Sequence, residues 1–209
     1  MKNIETFIAL NRFGLGPAPR EAEKVEDDPK AWVKDQIKSR PAIPRPLLKF
    51  RNSDQILRDV YMARKKGSKI SPDEKQDLRS EFAKELLARS KNMIVTDTPF
   101  VERMVMFWSN HFTVSTTKRL TGPVLPAFER EAIRPHIFGK FSDMLEDVTR
   151  HPAMLSYLDN HLSAGPRTPV GIQKIMRSGV RTTLNENLAR EILELHTLGV
   201  NGGYDQDDV

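Results

Sequence analysis

The sequence predicts an all-α fold, an irregular orthogonal multi-helix bundle more than a regular four-helix one, and three observations carry that expectation. Apolar residues recur at three- and four-residue spacing along most of the chain. Helix-start and helix-stop residues punctuate it, and no stretch alternates apolar and polar residues toward a hairpin turn. With 209 residues, 38% of them hydrophobic, there is material for one buried core. No run of about 18 apolar residues escapes interruption by charge, so no membrane insertion is expected. The absence of cysteine excludes disulfide scaffolds, thiolate zinc sites, iron–sulfur clusters and cysteine nucleophiles. Thirty-three Lys and Arg against 28 Asp and Glu leave a charge of +5, an excess that favours anionic surfaces without demanding nucleic acid.

Taken in order, residues 1–12 read as a short amphipathic helix packing Phe7 and Leu10. Glu5, Asn11 and Arg12 break any secretory core, so the default location is cytoplasmic. A start upstream of Met1 would leave a periplasmic or exported location open. Arg40 to Pro46 holds three prolines and reads as an extended connection. Ser53 and Asp54 are candidate caps for a helix with the stripe Ile56, Leu57, Val60 and Tyr61, ended by Gly67. Ser71-Pro72-Asp73-Glu74 is a capping box with proline at the first helical position, ahead of Leu78, Phe82 and Leu86. Thr98-Pro99 starts another helix. Gly122-Pro123 starts a third that must stop before Pro135, and His151-Pro152 a short one ending near Asp159-Asn160. From His161 to Thr183 there are prolines, glycines and no acid, which predicts a long basic loop. At the far end, Gly199 and Asn201-Gly202-Gly203 turn the chain, and Asp205 to Asp208 resemble a helix start without a helix behind it. The expectation is one helical domain over 1–209, the front part of a longer one, with apolar surface left uncovered.

Polar residues on apolar faces give the candidate site. On a wheel of about 100° per residue, Leu184, Leu188, Ala189, Ile192, Leu193, Leu195 and Leu198 cover roughly 220°. The helix from Leu184 to Val200 is therefore expected to be buried on most sides, with Glu186, Arg190 and Glu194 forming an ion-paired ladder on the remaining strip. Glu191 and His196 intrude on the apolar arc. His111 does the same among Val101, Met104, Val105, Trp108 and Phe112, where one ring nitrogen should bond a core carbonyl or acid. A buried carboxylate needs a cation, which makes Arg103, Arg134 or another arginine the expected partner of Glu191. Glu191 and His196 are five residues apart, so they do not form the His-Glu-x-x-His zinc motif, and no metal is assigned. Arg167, Lys174, Arg177 and Arg181 in the basic loop are candidate anion-binding residues; a nucleic-acid arm is disfavoured because no aromatics interleave them. The calcium-loop spacing, the dinucleotide fingerprint, the Gly-x-Ser-x-Gly elbow and the P-loop are all missing.

Three stretches resemble one bacterial family. They are Leu10-Asn11-Arg12-Phe13-Gly14-Leu15-Gly16-Pro17, the run Arg103 to Ser115 containing Phe107-Trp108-Ser109-Asn110-His111-Phe112, and the run from Asn185 to Tyr204. The family is catalogued as domain of unknown function 1800. Ile133-Arg134-Pro135-His136 and Arg150 to Leu155 fit it as well. The resemblance implies relatives of about twice this length or more and names no reaction or cofactor. It also implies a possible partner, a sulfatase-like family carrying export signals and encoded beside many members. Two functions are carried forward. The first is a helical binding or assembly module whose buried polar cluster serves structure or ligand orientation. The second is a hydrolase-like enzyme acting on an anionic substrate, with Glu191, His196 and His111 as catalytic candidates and the loop cations holding the anion.

Overall fold

The structure is a computed structural model that describes residues 2–38, 43–65, 71–116, 121–179 and 184–209. The described residues form α-helices and no strand: α1 (Lys2–Ile8), α2 (Glu21–Val25), α3 (Pro29–Lys38), α4 (Ser53–Lys65), α5 (Pro72–Val95), α6 (Pro99–His111), α7 (Thr121–Phe128), α8 (Phe141–Arg150), α9 (Pro152–Tyr157), α10 (Pro169–Ser178) and α11 (Asn187–Glu191). The fold is all-α and multi-helical, as its punctuation predicts. Three helices widen into π-turns, Ala9–Phe13 after α1, Glu129–Ile133 after α7 and Ile192–Thr197 after α11.

The centre of the molecule is α7, which packs on α4, α5 and α9. Its run Thr121-Gly122-Pro123-Val124-Leu125-Pro126-Ala127-Phe128 is apolar nearly all round, and a helix of that kind is stable only when enclosed. Val105, Phe112, Val124, Ile133, Met144, Val148 and Met154 form the core around it. A smaller cluster of Ala9, Leu10 and Val25 with Trp32 holds α1 to α3 together. It joins the main body through Phe13 edge-on to Phe100, with centroids 5.7 Å apart, through Gln36 Oε1 accepting from the Phe100 N–H at 2.9 Å, and through Arg103 Nη1 donating to the Gly14 carbonyl at 2.8 Å.

Local side-chain caps account for several helix starts. The Ser71 box is complete: its hydroxyl accepts from the Glu74 N–H at 3.1 Å, and Glu74 accepts from the Ser71 N–H at 2.7 Å. At α4 the cap is Asn52 rather than Ser53 or Asp54, because Asn52 and Gln55 exchange side-chain and backbone bonds at 2.8 and 3.0 Å. Ser53 is thereby left for a long-range contact. Tyr61 and Phe7 are mostly exposed, so neither belongs to the packed stripe expected of it. Gly67, Arg40, Pro41 and Ala42 lie outside the described residues; Arg45–Leu47 is a 3-10 turn.

The stretch 161–183 is not a loop throughout, since residues 169–178 are helical. Thr168 caps α10 by accepting from the Gly171 N–H at 3.1 Å, Pro169 sits at its first position, and Gly179 ends it at φ 66. The segment without acids carries a complete set of cap residues. Gly171 faces the chain at Gly165, where an added Cβ would come within 2.1 Å of a carbonyl oxygen, so only glycine permits this crossing. The excursion is clamped at its base by Asn185, whose N–H donates to Ser163 Oγ and whose side-chain amide donates to the Leu158 carbonyl, both at 2.9 Å.

Candidate functional site

The terminal segment is less enclosed than its apolar arc predicts. Leu184, Leu195 and Leu198 are more than half exposed, most of Leu188 to Glu194 is half-buried, and His196 alone is fully buried. The helix breaks at Glu191 into a π-turn, where Thr197 Oγ1 bonds the Ile192 carbonyl five residues back at 2.6 Å. A π-turn rotates every later residue relative to an ideal wheel, so the predicted arc does not survive as one face. The solvent ladder does form, with Arg190 3.4 Å from Glu186 and 4.0 Å from Glu194.

His111 and His196 are brought together. His111 Nε2 lies 3.0 Å from the His196 carbonyl oxygen, the core carbonyl expected of it, which makes this nitrogen the donor. The ring centroids are 6.4 Å apart, and Phe112 lies edge-on to the His196 ring at 5.1 Å. His196 Nδ1 is buried without a hydrogen-bond partner. Burial, with the neighbouring His111 charge, pushes the His196 pKa down to about 4. Glu191 does not join them: it is half-buried, and burial followed by repulsion from Glu194 raises its pKa. Its expected arginines are taken, Arg103 by Gly14 and Arg134 by Glu102 and Glu129. Arg167, Lys174 and Arg177 are exposed on or beside α10, with Lys174 Nζ 3.2 Å from the Leu162 carbonyl, and Arg181 lies outside the described residues.

The His196 shift has a measurable consequence. Between about pH 6.5 and 4 the unfolded imidazole takes a proton that the native ring refuses, so stability is lost as pH falls through that window and is fully present above it. His196→Phe removes the titrating group and keeps a ring against Phe112. The melting temperature of the unsubstituted protein should fall relative to this variant between pH 6.5 and 4; parallel curves would contradict the depressed pKa.

The strongest polar cluster lies elsewhere, on the π-turn after α7. Arg134, 1% exposed, forks onto Glu102 of α6 with Nη1 and Nη2 at 2.9 and 2.7 Å, and its Nε donates to Glu129 at 3.1 Å. Burial works against the Arg134 charge, but Glu102 and Glu129 outweigh it and raise its pKa. Glu129 Oε2 also accepts from Arg89 Nε of α5 at 2.5 Å. Arg130 donates to Glu85 at 2.5 Å and to the Arg51 carbonyl at 2.7 Å, while burial raises the Glu85 pKa against the pull of Arg130. Glu131 receives the Ser53 N–H and hydroxyl at 2.9 and 2.5 Å and His151 Nε2 at 3.0 Å. The other ring nitrogen of His151 accepts from the Ala153 N–H at 3.1 Å, so Nε2 holds the proton. Burial raises the Glu131 pKa, and the His151 and Ser53 bonds outweigh it to lower the pKa overall. One wide turn thus sends Glu129 and Arg130 to α5 and Glu131 to Ser53 and His151, while Arg134 just beyond it reaches α6. The available sequence signals were Glu102 three residues before the core residue Val105 and Arg134 directly after Ile133.

Beside this network lies a cleft of about 230 Å³ between α5, the end of α6 and α7. Phe82, Phe112, Leu125 and Phe128 form its apolar wall, and Arg89, Ser109 and Glu129 its polar side. His111, His196 and Glu191 do not line it. Among the described residues, no group of three or more His, Asp and Glu is placed to hold a metal ion.

These features define an all-helical protein with an ion-paired interior and an apolar cleft at its edge. The chain belongs to the family described as protein of unknown function (DUF1800), whose model matches residues 8–209. No curated protein and no solved structure matches it.

Proposed function

We propose that the chain is a helical binding and assembly module whose buried polar cluster serves structure, and that its partner is the sulfatase-like protein implied by the family resemblance. The observation that carries the proposal is the terminal segment. Leu184, Leu195, Leu198 and Val200 are 63%, 57%, 57% and 72% exposed while His196 among them is buried. The segment docks by its histidine edge and presents its leucine edge, a concentration of apolar surface of the kind that marks interaction sites. An exported complex is part of the same proposal; no described helix is long and apolar enough to cross a membrane.

The test is co-expression with the sulfatase-like neighbour, followed by size-exclusion chromatography. Co-elution is expected, and Leu195→Asp with Leu198→Asp should abolish it while circular dichroism stays helical. Separate elution of the unsubstituted pair, or co-elution that survives both substitutions, would overturn the proposal.

The competing reading is a hydrolase-like enzyme in which Glu191, His196 and His111 act on an anion held by Arg167, Lys174, Arg177 and Arg181. One observation favours it, the partnerless His196 Nδ1 beside His111. Turnover of an aryl sulfate or aryl phosphate that disappears in His196→Phe would establish it over the assembly reading.

A further inference from the structure

The cleft has an unbalanced hydrogen-bonding side. Glu129 has both oxygens engaged, Oε1 by Arg134 at 3.0 and 3.1 Å and Oε2 by Arg89 at 2.5 Å, with Ser109 Oγ a further 3.4 Å away. Glu85 is engaged by Arg130, and Arg130 spends a second nitrogen on the Arg51 carbonyl. Arg89 is different. A guanidinium carries five N–H donors in a planar fork, and Arg89 spends only its Nε, so that Nη1 and Nη2 have no partner among the described residues. Its side chain is 27% exposed and it lines the cleft. Glu129 is satisfied on both oxygens and the Arg89 donors are in surplus beside it, so the vacant valence at this end of the wall is for an acceptor. A cationic head placed against Glu129 would meet the unspent charge of Arg89.

The rest of the wall sets the remainder of the ligand. Phe82, Phe112, Leu125 and Phe128 line the same space with Arg89, and Leu86 among the lining residues is 48% exposed. An apolar body belongs there, joined to a planar oxyanion that matches the two free nitrogens of the fork.

We propose that this cleft binds a small amphiphilic carboxylate, with its head on the Nη atoms of Arg89 and its alkyl or aryl tail against Phe82, Phe112 and Leu125. The site is independent of the assembly surface, since Leu195 and Leu198 do not line it, and either proposal can fail alone.

The experiment titrates octanoate, octanol and octylamine into the full chain, read by calorimetry and by the fluorescence of Trp108, which stacks on Phe112 at 6.1 Å. Saturable octanoate binding is expected, tighter than octanol and far tighter than octylamine. Arg89→Met should weaken octanoate by about tenfold or more, the effect of a charge-assisted bond, and leave octanol unchanged. Glu129 keeps Arg134 in that variant, so the fold should persist. Should it not, Leu86→Glu supplies a second variant, expected to weaken octanoate by charge repulsion. Equal affinity for octanoate and octanol, octanoate binding indifferent to both substitutions, or no saturable binding would each overturn the assignment.

Discussion

Arg134→Met is expected to lower the unfolding free energy by about 3–5 kcal/mol, the cost typical of orphaning a buried charge. In a chain of this size that is a fall in melting temperature of roughly 6–20 °C. The reason lies in what remains. Glu102, 2% exposed, would face Glu129 across the vacated fork, and only Glu129 retains a second arginine, Arg89. The orphaned Glu102 carboxyl would then hold its proton to a higher pH in the native state than in the unfolded chain. Native protein binding the extra proton means that stability rises as pH falls, so the deficit of the variant should shrink toward acid. The double variant Arg134→Met with Glu102→Leu should recover most of the loss, because removing both charges removes the uncompensated burial. Thermal melts at two pH values separate these outcomes. A single variant that melts like the parent at neutral pH would show that the fork contributes nothing.

Phe112→Ala should cost about 3–5 kcal/mol, through lost transfer energy and the void left behind. Phe112 is fully buried, stacks on Trp108 and Phe141 with centroids 6.1 and 6.0 Å away, and meets the His111 and His196 rings edge-on at 4.6 and 5.1 Å. It also lines the cleft, so the new void opens onto an existing one and the neighbours have little reason to collapse. Urea denaturation should show a lower midpoint at unchanged slope. A loss below about 1 kcal/mol would mean that the ring is not the junction between α6 and the terminal segment.

Much of the helical plan is legible in the residues. The Ser71 box, the prolines at Pro99 and Pro152 and the stop near Asp159 all stand where their chemistry places them. Between His161 and Thr183 the stretch without acids contains Thr168-Pro169 and Gly179, which cap α10 in the ordinary way. The wheel from Leu184 onward assumed 3.6 residues per turn throughout, and the π-turn at Ile192–Thr197 breaks that assumption. Glu191 is half-buried, with Leu195 and Leu198 beside it more than half exposed, and has no arginine partner among the described residues.

The sequence by itself determined the helical class and the starts at Ser71-Pro72, Thr98-Pro99 and His151-Pro152, because caps and proline φ act within a few residues of one another. The tertiary structure alone decided which charges go inside. Glu102 and Arg134 are 32 residues apart, Arg89 and Glu129 40, and Ser53 and Glu131 78. Each of these groups is costly to bury alone and stable only beside its partner, so its place follows from the packing of whole helices and leaves no local pattern to read.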